Sequence, residues 1–292
     1  MSGQDHESSL DIMSACDKGI EMTTERSSVL LKIGILLIAF GTRTPQALAT
    51  YQFIERKIQA IFPDIPVRWA FTSAVVRKKP AGDARPVESV ETSLARMMDE
   101  GFTHVAVQAL HVISGKEHHD LTVNCRLFGR MAGGFREVMM GLPLLGTGDD
   151  MDKAATALIS TIPRERKPEE AVIFMGHGSP HPANACYTAL MYHLQQTDPN
   201  VFVGTMSGRP GIGDICESLR KQKITSAYLL PCLAVVGNHT LKDMAGENEH
   251  SWKSVLEKHG ISCKPVLKGL AEYDAIVDIW VDHLKTIVGT LL

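Results

Sequence analysis

Apolar residues fall along this chain in short unbroken runs, separated by stretches in which they recur every three or four positions. Residues 33–40 (I-G-I-L-L-I-A-F) form one continuous run, the mark of a strand buried on both faces. Strands are likewise expected over 67–73, 105–112, 137–142, 171–175, 201–206, 227–235 and 262–267. Between about 45 and 61 the period changes: Ala49, Phe53, Ile54, Ile58 and Ile61 share one helical face, and Pro45 suits the first turn. Further helices are expected over about 87–100, 121–135, 151–162, 184–197, 211–222, 251–259 and 275–288. Residues 114–120 (S-G-K-E-H-H-D) are expected as a polar loop, and Arg77, Lys78, Lys79 and Pro80 as a basic one.

Regular alternation of strand and helix predicts parallel sheets with right-handed crossovers, hence an α/β protein. The alternation runs through two rounds. Residues 1–28 are expected as a flexible lead-in, 29–150 as one lobe, 151–170 as a linking helix and connector, and 171–292 as a second lobe. The halves also align residue by residue. F-G-T at 40–42 matches H-G-S at 177–179, A-F-T-S at 70–73 matches G-T-M-S at 204–207, and V-I-S-G-K-E at 112–117 matches A-V-V-G-N-H at 234–239. An internal duplication with a pseudo-twofold axis follows, and two such lobes facing each other leave a cleft between their strand ends.

The composition narrows the function. A formal net charge of −3 and 22% charged residues give no electrostatic case for nucleic acid or an anionic membrane. No run of 18 apolar residues exists to span a bilayer. The six cysteines are scattered without a C-x-x-C pair, which suits reduced thiols and a cytoplasmic location. A phosphate-binding G-x-x-x-x-G-K-[ST] loop is absent, as is a G-x-S-x-G elbow. The glycine run at 208–213 has the wrong spacing for a dinucleotide site. ATP and nucleotide cofactors are therefore not expected. A symmetric homo-oligomer is the base-rate expectation for quaternary structure.

Strand-end loops are where an open α/β sheet carries its chemistry. The second half places His177 and His239 on two of them. Neutral imidazole is a common ligand for divalent transition metals, and two imidazoles make half of an open metal site. A pair of histidines on the surface is the competing reading. His111 either faces the cleft or sits satisfied in the core. His118 and His119 are expected to be solvated, and His6, His250, His259 and His283 to lie on the surface.

P-C-L-A-V-V-G-N-H-T-L-K-D-M-A-G-E-N-E-H-S-W-K at 231–253, with M-G-H-G-S-P-H-P-A-N at 175–184, resembles the class II tetrapyrrole chelatases. Within these it is most similar to the anaerobic sirohydrochlorin cobaltochelatase (CbiK-like) family. V-Q-A-L-H-V-I-S-G-K-E at 107–117 and L-L-I-A-F-G-T at 36–42 are similar to that family's first-half motifs, and the resemblance extends over 33–291. It implies two flavodoxin-like lobes around a cleft and ATP-independent insertion of Co²⁺ (or Fe²⁺) into sirohydrochlorin; two histidines by themselves do not discriminate against Ni²⁺. It implies metal ligation by His177 and His239, with His177 also accepting protons. The family glutamate belongs in a G-T-V-E-G-like turn, whereas this chain has G-T-M-S-G at 204–208, with Ser207 at that position. Asn238 also stands where relatives commonly have aspartate. Glu117, across the pseudo-twofold axis, is the substitute carboxylate expected here. Phe40, Thr42, Arg43, His111, Arg209 and Val235 are expected to contact substrate, the arginines through its peripheral carboxylates. Loss of the glutamate leaves a second reading: a non-catalytic tetrapyrrole- or metal-binding protein derived from a chelatase.

Overall fold

The computed structural model describes residues 30–42, 44–78 and 87–292. The expected lead-in at 1–28, Arg43 and Lys79-Pro80 lie outside these residues. Two four-stranded parallel sheets form the frame. The first contains β1 (Ile33–Ala39), β2 (Val67–Phe71), β3 (His104–Ala109) and β4 (Glu137–Met140), in the spatial order β2-β1-β3-β4. The second contains β5 (Ala171–Gly178), β6 (Val201–Ser207), β7 (Ser226–Cys232) and β8 (Ser262–Pro265), in the order β6-β5-β7-β8. The identical order in both halves bears out the expected α/β architecture and its internal repeat. Central strands β1 and β5 are buried along their length apart from His177, which is why they read as unbroken apolar runs.

The helices are α1 (Pro45–Ile61), α2 (Ala74–Lys78), α3 (Val90–Asp99), α4 (Lys116–Arg130), α5 (Gly148–Thr161), α6 (Ala185–Thr197), α7 (Ile212–Lys221), α8 (Trp252–Lys258) and α9 (Asp274–Leu291). Thr44 caps α1, its hydroxyl accepting from the Ala47 amide, with Pro45 in the first turn as expected. Two local expectations are corrected. The supposed loop at 114–120 is largely the first turn of α4, which begins at Lys116. Arg77 lies on the short helix α2, where its guanidinium donates to the carbonyls of Phe71 (2.8 Å) and Thr72 (2.5 Å) at the end of β2.

Helices α5 and α9 join the halves. α5 packs on α6, and α9, although it follows the second sheet, packs against β3 and β4 of the first. One apolar cluster consequently runs from Ile35, Leu37 and Ala106 through Leu158, Trp280 and Leu284 to Phe174 and Leu230. His283, expected at the surface, is mostly covered: Nδ1 donates to the Leu142 carbonyl (3.0 Å) and Nε2 lies 3.0 Å from Asp150. None of the described helices is long and apolar enough to cross a membrane.

Buried Glu170 ties together the amino ends of the second sheet. It accepts from the Lys167 amide (2.8 Å), Lys264 Nζ (2.6 Å) and the Ser226 hydroxyl (2.8 Å). Those donors hold its carboxyl down at about 2, against an ordinary 4.5. A depressed folded-state pKa gives stability that is present above the unfolded value and lost as pH falls through the folded one. Glu170→Gln is therefore expected to lower the urea midpoint at neutral pH. The gap from the parent protein should close as pH falls from about 4.5 to about 2. Midpoints measured across that range check this.

Candidate metal centre

The carboxyl ends of both sheets open onto one cleft of about 840 Å³. Its rims are built from residues that the internal repeat makes equivalent. A Cβ placed on Gly237 would lie 3.5 Å from Thr42, and one on Gly115 would lie 3.4 Å from Ser179 Oγ. Thr42 aligns with Ser179 and Gly115 with Gly237, so the repeat reappears as two reciprocal close approaches between the halves. Gly41 and Gly178, also aligned, both adopt left-handed backbone, with φ of 101° and 78°. Thr44 Oγ1 further donates to the Val236 carbonyl at 2.8 Å, and Gln46 donates to Leu267 O (2.8 Å) and Glu272 (3.0 Å).

On the second-half wall, β5 continues through His177 to Gly178, so the histidine stands on the strand itself and not on the loop beyond it. Its ring is exposed, and Nδ1 donates to the Gly178 carbonyl at 3.0 Å. His239 opens a single π-helical turn, His239–Met244, within what reads as a long polar loop. Its Nδ1 lies 2.6 Å from Asp243 Oδ2. A carbonyl and a carboxylate can only accept, so in its neutral form each imidazole carries the proton on Nδ1 and keeps a lone pair on Nε2. The ring centres are 5.1 Å apart, with planes at 82°. Asp243 was not singled out from sequence, yet the H-x-x-x-D spacing on a helical turn is the signal that finds it. Ser207 ends β6, exposed, and also lines the cleft. Among the described residues, no three His, Cys, Asp or Glu side chains are gathered closely enough to enclose an ion.

The facing wall carries Phe40, Thr42, His111 and Glu117, with Val235 contributed from across the cleft. His111 Nε2 lies 3.3 Å from Glu117 Oε2. Burial works to raise the Glu117 carboxyl, but the His111 imidazole, the Thr72 hydroxyl and the nearby His177 outweigh it and hold it below the usual carboxylate range. The backbone of His111 is anchored from the far end of the chain: Trp280 Nε1 on α9 donates to its carbonyl at 3.2 Å. His118 is buried rather than solvated, edge-on to His111 with ring centres 5.8 Å apart. Burial, reinforced by His111, pushes its imidazole down to about 4. His119, His250 and His259 are exposed as expected. Arg209 is not part of the cleft lining; it stays at the surface, paired with Asp214 at 2.6 Å. Among the described residues, Lys116 is the one Lys or Arg that lines the cleft.

Two equivalent parallel sheets facing each other across such a cleft define the two-lobed fold of the sirohydrochlorin chelatases. The chelatase SirB from Bacillus subtilis subspecies spizizenii, solved in complex with cobalt, superposes with a TM-score of 0.59 at 16% identity over 89% of this chain and 97% of that one. The chain belongs to the cobalt chelatase (CbiK) family, whose model matches residues 33–289. It is 44% identical to the sirohydrochlorin cobaltochelatase CbiKC of Nitratidesulfovibrio vulgaris, over 90% of this chain and 93% of that protein. It is 31% identical to the sirohydrochlorin cobaltochelatase of Salmonella typhimurium, over 87% of this chain and 96% of the relative.

Proposed function

We propose that this protein inserts Co²⁺ into sirohydrochlorin, without ATP, in the cleft between its two lobes. Fe²⁺ is the alternative metal. The observation that carries the reading is the pair of imidazoles, His177 and His239, both with Nε2 free, in a chain of the cobalt chelatase family. Metal–nitrogen bonds of about 2.1 Å at a tetrahedral angle place two imidazole centres roughly 5 Å apart. The separation here is 5.1 Å. The open remainder of the coordination sphere suits an ion that is to be handed on and not kept.

Metallation breaks two pyrrole N–H bonds, forms metal–nitrogen bonds and releases two protons. His177 binds the incoming ion and, once relieved of it, accepts one pyrrole proton at Nε2, the second passing to solvent water in the open cleft. His239 is the second ligand, its ring aimed by Asp243 as carboxylates aim ligating histidines elsewhere. Glu117, ionised on the facing wall, supplies the negative charge that Ser207 cannot. Phe40, half exposed, and Val235 offer apolar surface to the macrocycle. Lys116 at the rim, on leaving its pair with Asp120 (2.5 Å), and Arg43, next in the chain to Thr42, are the cations for its peripheral carboxylates. Arg209 would have to leave Asp214 to do so. The non-catalytic reading is not favoured, because relatives at 44% and 31% identity over nearly the whole chain are cobaltochelatases by name.

The test is an anaerobic spectrophotometric assay with purified protein, sirohydrochlorin and Co²⁺, without ATP. Protein-dependent formation of the cobalt complex is expected. Binding without faster metallation would overturn the proposal. Ser207→Glu places a carboxylate at the edge of the histidine pair, and Ser207 is exposed enough to accept the longer side chain. It is expected to tighten Co²⁺ binding by at least tenfold, since outer-shell carboxylates alone are worth about 10–100-fold. Titration of the metal in the absence of tetrapyrrole checks this.

A further inference from the structure

A second concavity, of about 470 Å³, lies at the opposite end of α4, between that helix and edge strand β4. It shares no lining residue with the cleft. Lys116, which lines the cleft, and Arg130, which lines this pocket, are separated by about 21 Å along the helix axis at 1.5 Å per residue. Three arginines converge on it: Arg126 and Arg130 from one face of α4, and Arg136 from the start of β4. Among the described residues, none of the three makes an ion pair or a side-chain hydrogen bond. Glu137 is the one carboxylate in the lining, so three guanidiniums face a single negative charge in a chain whose net charge is −3. Thr122 is already committed to the His118 carbonyl and Met140 Sδ, and the buried Cys125 thiol is pushed up to about 12, so neither adds charge.

A cation near the carboxyl end of a helix is favoured by the helix dipole, which accounts for Arg130 but not for Arg136. The internal repeat supplies a contrast. In the second sheet, edge strand β8 carries Lys264, whose charge is taken up by Glu170 at 2.6 Å. The first-half edge keeps its cations free.

We infer that Arg126, Arg130 and Arg136 form a binding site for a small organic polyanion, distinct from the metal cleft. Guanidinium forks read carboxylate and phosphate oxygens two at a time, which a lysine cluster does not. The volume falls within the roughly 300–1,000 Å³ typical of small-molecule pockets, larger than an inorganic ion requires. Val138, Met139 and Met140 add apolar lining that suits a carbon skeleton between the anionic groups. A di- or tricarboxylate and a phosphate ester share this chemistry.

The test is isothermal titration of the metal-free protein at low salt with citrate and, separately, with glucose 6-phosphate. Glucose at equal concentration and sodium chloride at equal ionic strength are the controls. Saturable binding of citrate alone identifies a polycarboxylate site, and of the sugar phosphate alone a phosphate site; either supports the inference. Arg130→Ala and Arg136→Ala should each weaken binding at least tenfold while leaving the metallation rate and melting temperature unchanged. Arg136→Lys, which keeps the charge and loses the fork, should weaken it as well. If neither probe saturates, or if the alanine variants bind as the parent does, the inference fails.

Discussion

His177→Ala is expected to lower the rate of cobalt insertion by about 10²–10⁴, the range lost with a positioned proton acceptor. Two roles disappear together. One is the Nε2 lone pair that the Gly178 carbonyl enforces by holding the proton on Nδ1; the other is one of two imidazoles in reach of the ion. His239→Ala removes a ligand and keeps the acceptor, so its loss should fall more on the Co²⁺ dependence of the rate than on the rate at saturating metal. The fold should not suffer. His177 is exposed at the end of β5 and supports no core contact, so the change in stability should stay within about 0.5 kcal/mol. Anaerobic absorbance assays with a thermal melt on the same samples separate the two effects. Unchanged turnover in His177→Ala would move the chemistry to another residue.

Gly178→Ala is expected to destabilise the protein by about 3–4 kcal/mol or more, near the upper end for a single substitution. Its φ of 78° alone costs a residue with a Cβ about 1–2 kcal/mol. The larger part is steric. The added Cβ would lie 2.0 Å from the Ser207 carbonyl oxygen and 2.7 Å from Thr205 Cβ, where β5 and β6 pair through Gly178 and Ser207. Backbone, not a flexible side chain, has to give way, and the neighbours that shift are those that set His177 against Ser207. Metallation should fall even in the fraction that stays folded. Gly101→Ala is the control. Gly101 has the same φ of 78° with nothing within 4 Å of its Cβ position, so that variant should lose only the backbone part. Urea midpoints of the two variants measure the steric share as their difference.

Much of this was legible in one dimension. The unbroken apolar runs mark β1 and β5, because a strand covered on both faces has no polar side to betray it. The matched F-G-T and H-G-S segments mark the duplication, while the reciprocal approach of Thr42 to Gly237 and of Ser179 to Gly115 comes from the structure. His177 and His239 stand out by their place at strand ends and by their motifs. The start of α4 was missed for a physical reason. Gly115 offers no side-chain cap, and Lys116 to Asp120 form a first turn whose charges mostly face water, which reads as loop. His118, in the same turn, is buried only because α4 lays that side against His111 and the end of β4.

By itself, then, the sequence determined the element order, the duplication, the family and the two histidines, since each is carried by spacing along the chain or by a run of neighbouring residues. Only the tertiary structure decided the partners. It tied Arg209 to Asp214, placed Glu117 on His111, brought Trp280 of α9 back across the first sheet to hold the His111 carbonyl, and left three arginines without an ion-pair partner among the described residues at the far end of α4. The Trp280–His111 bond joins positions 169 residues apart and depends on how α9 packs on the first sheet. No local periodicity encodes that distance, because the burial that makes such contacts favourable exists only once the two halves have closed on one another.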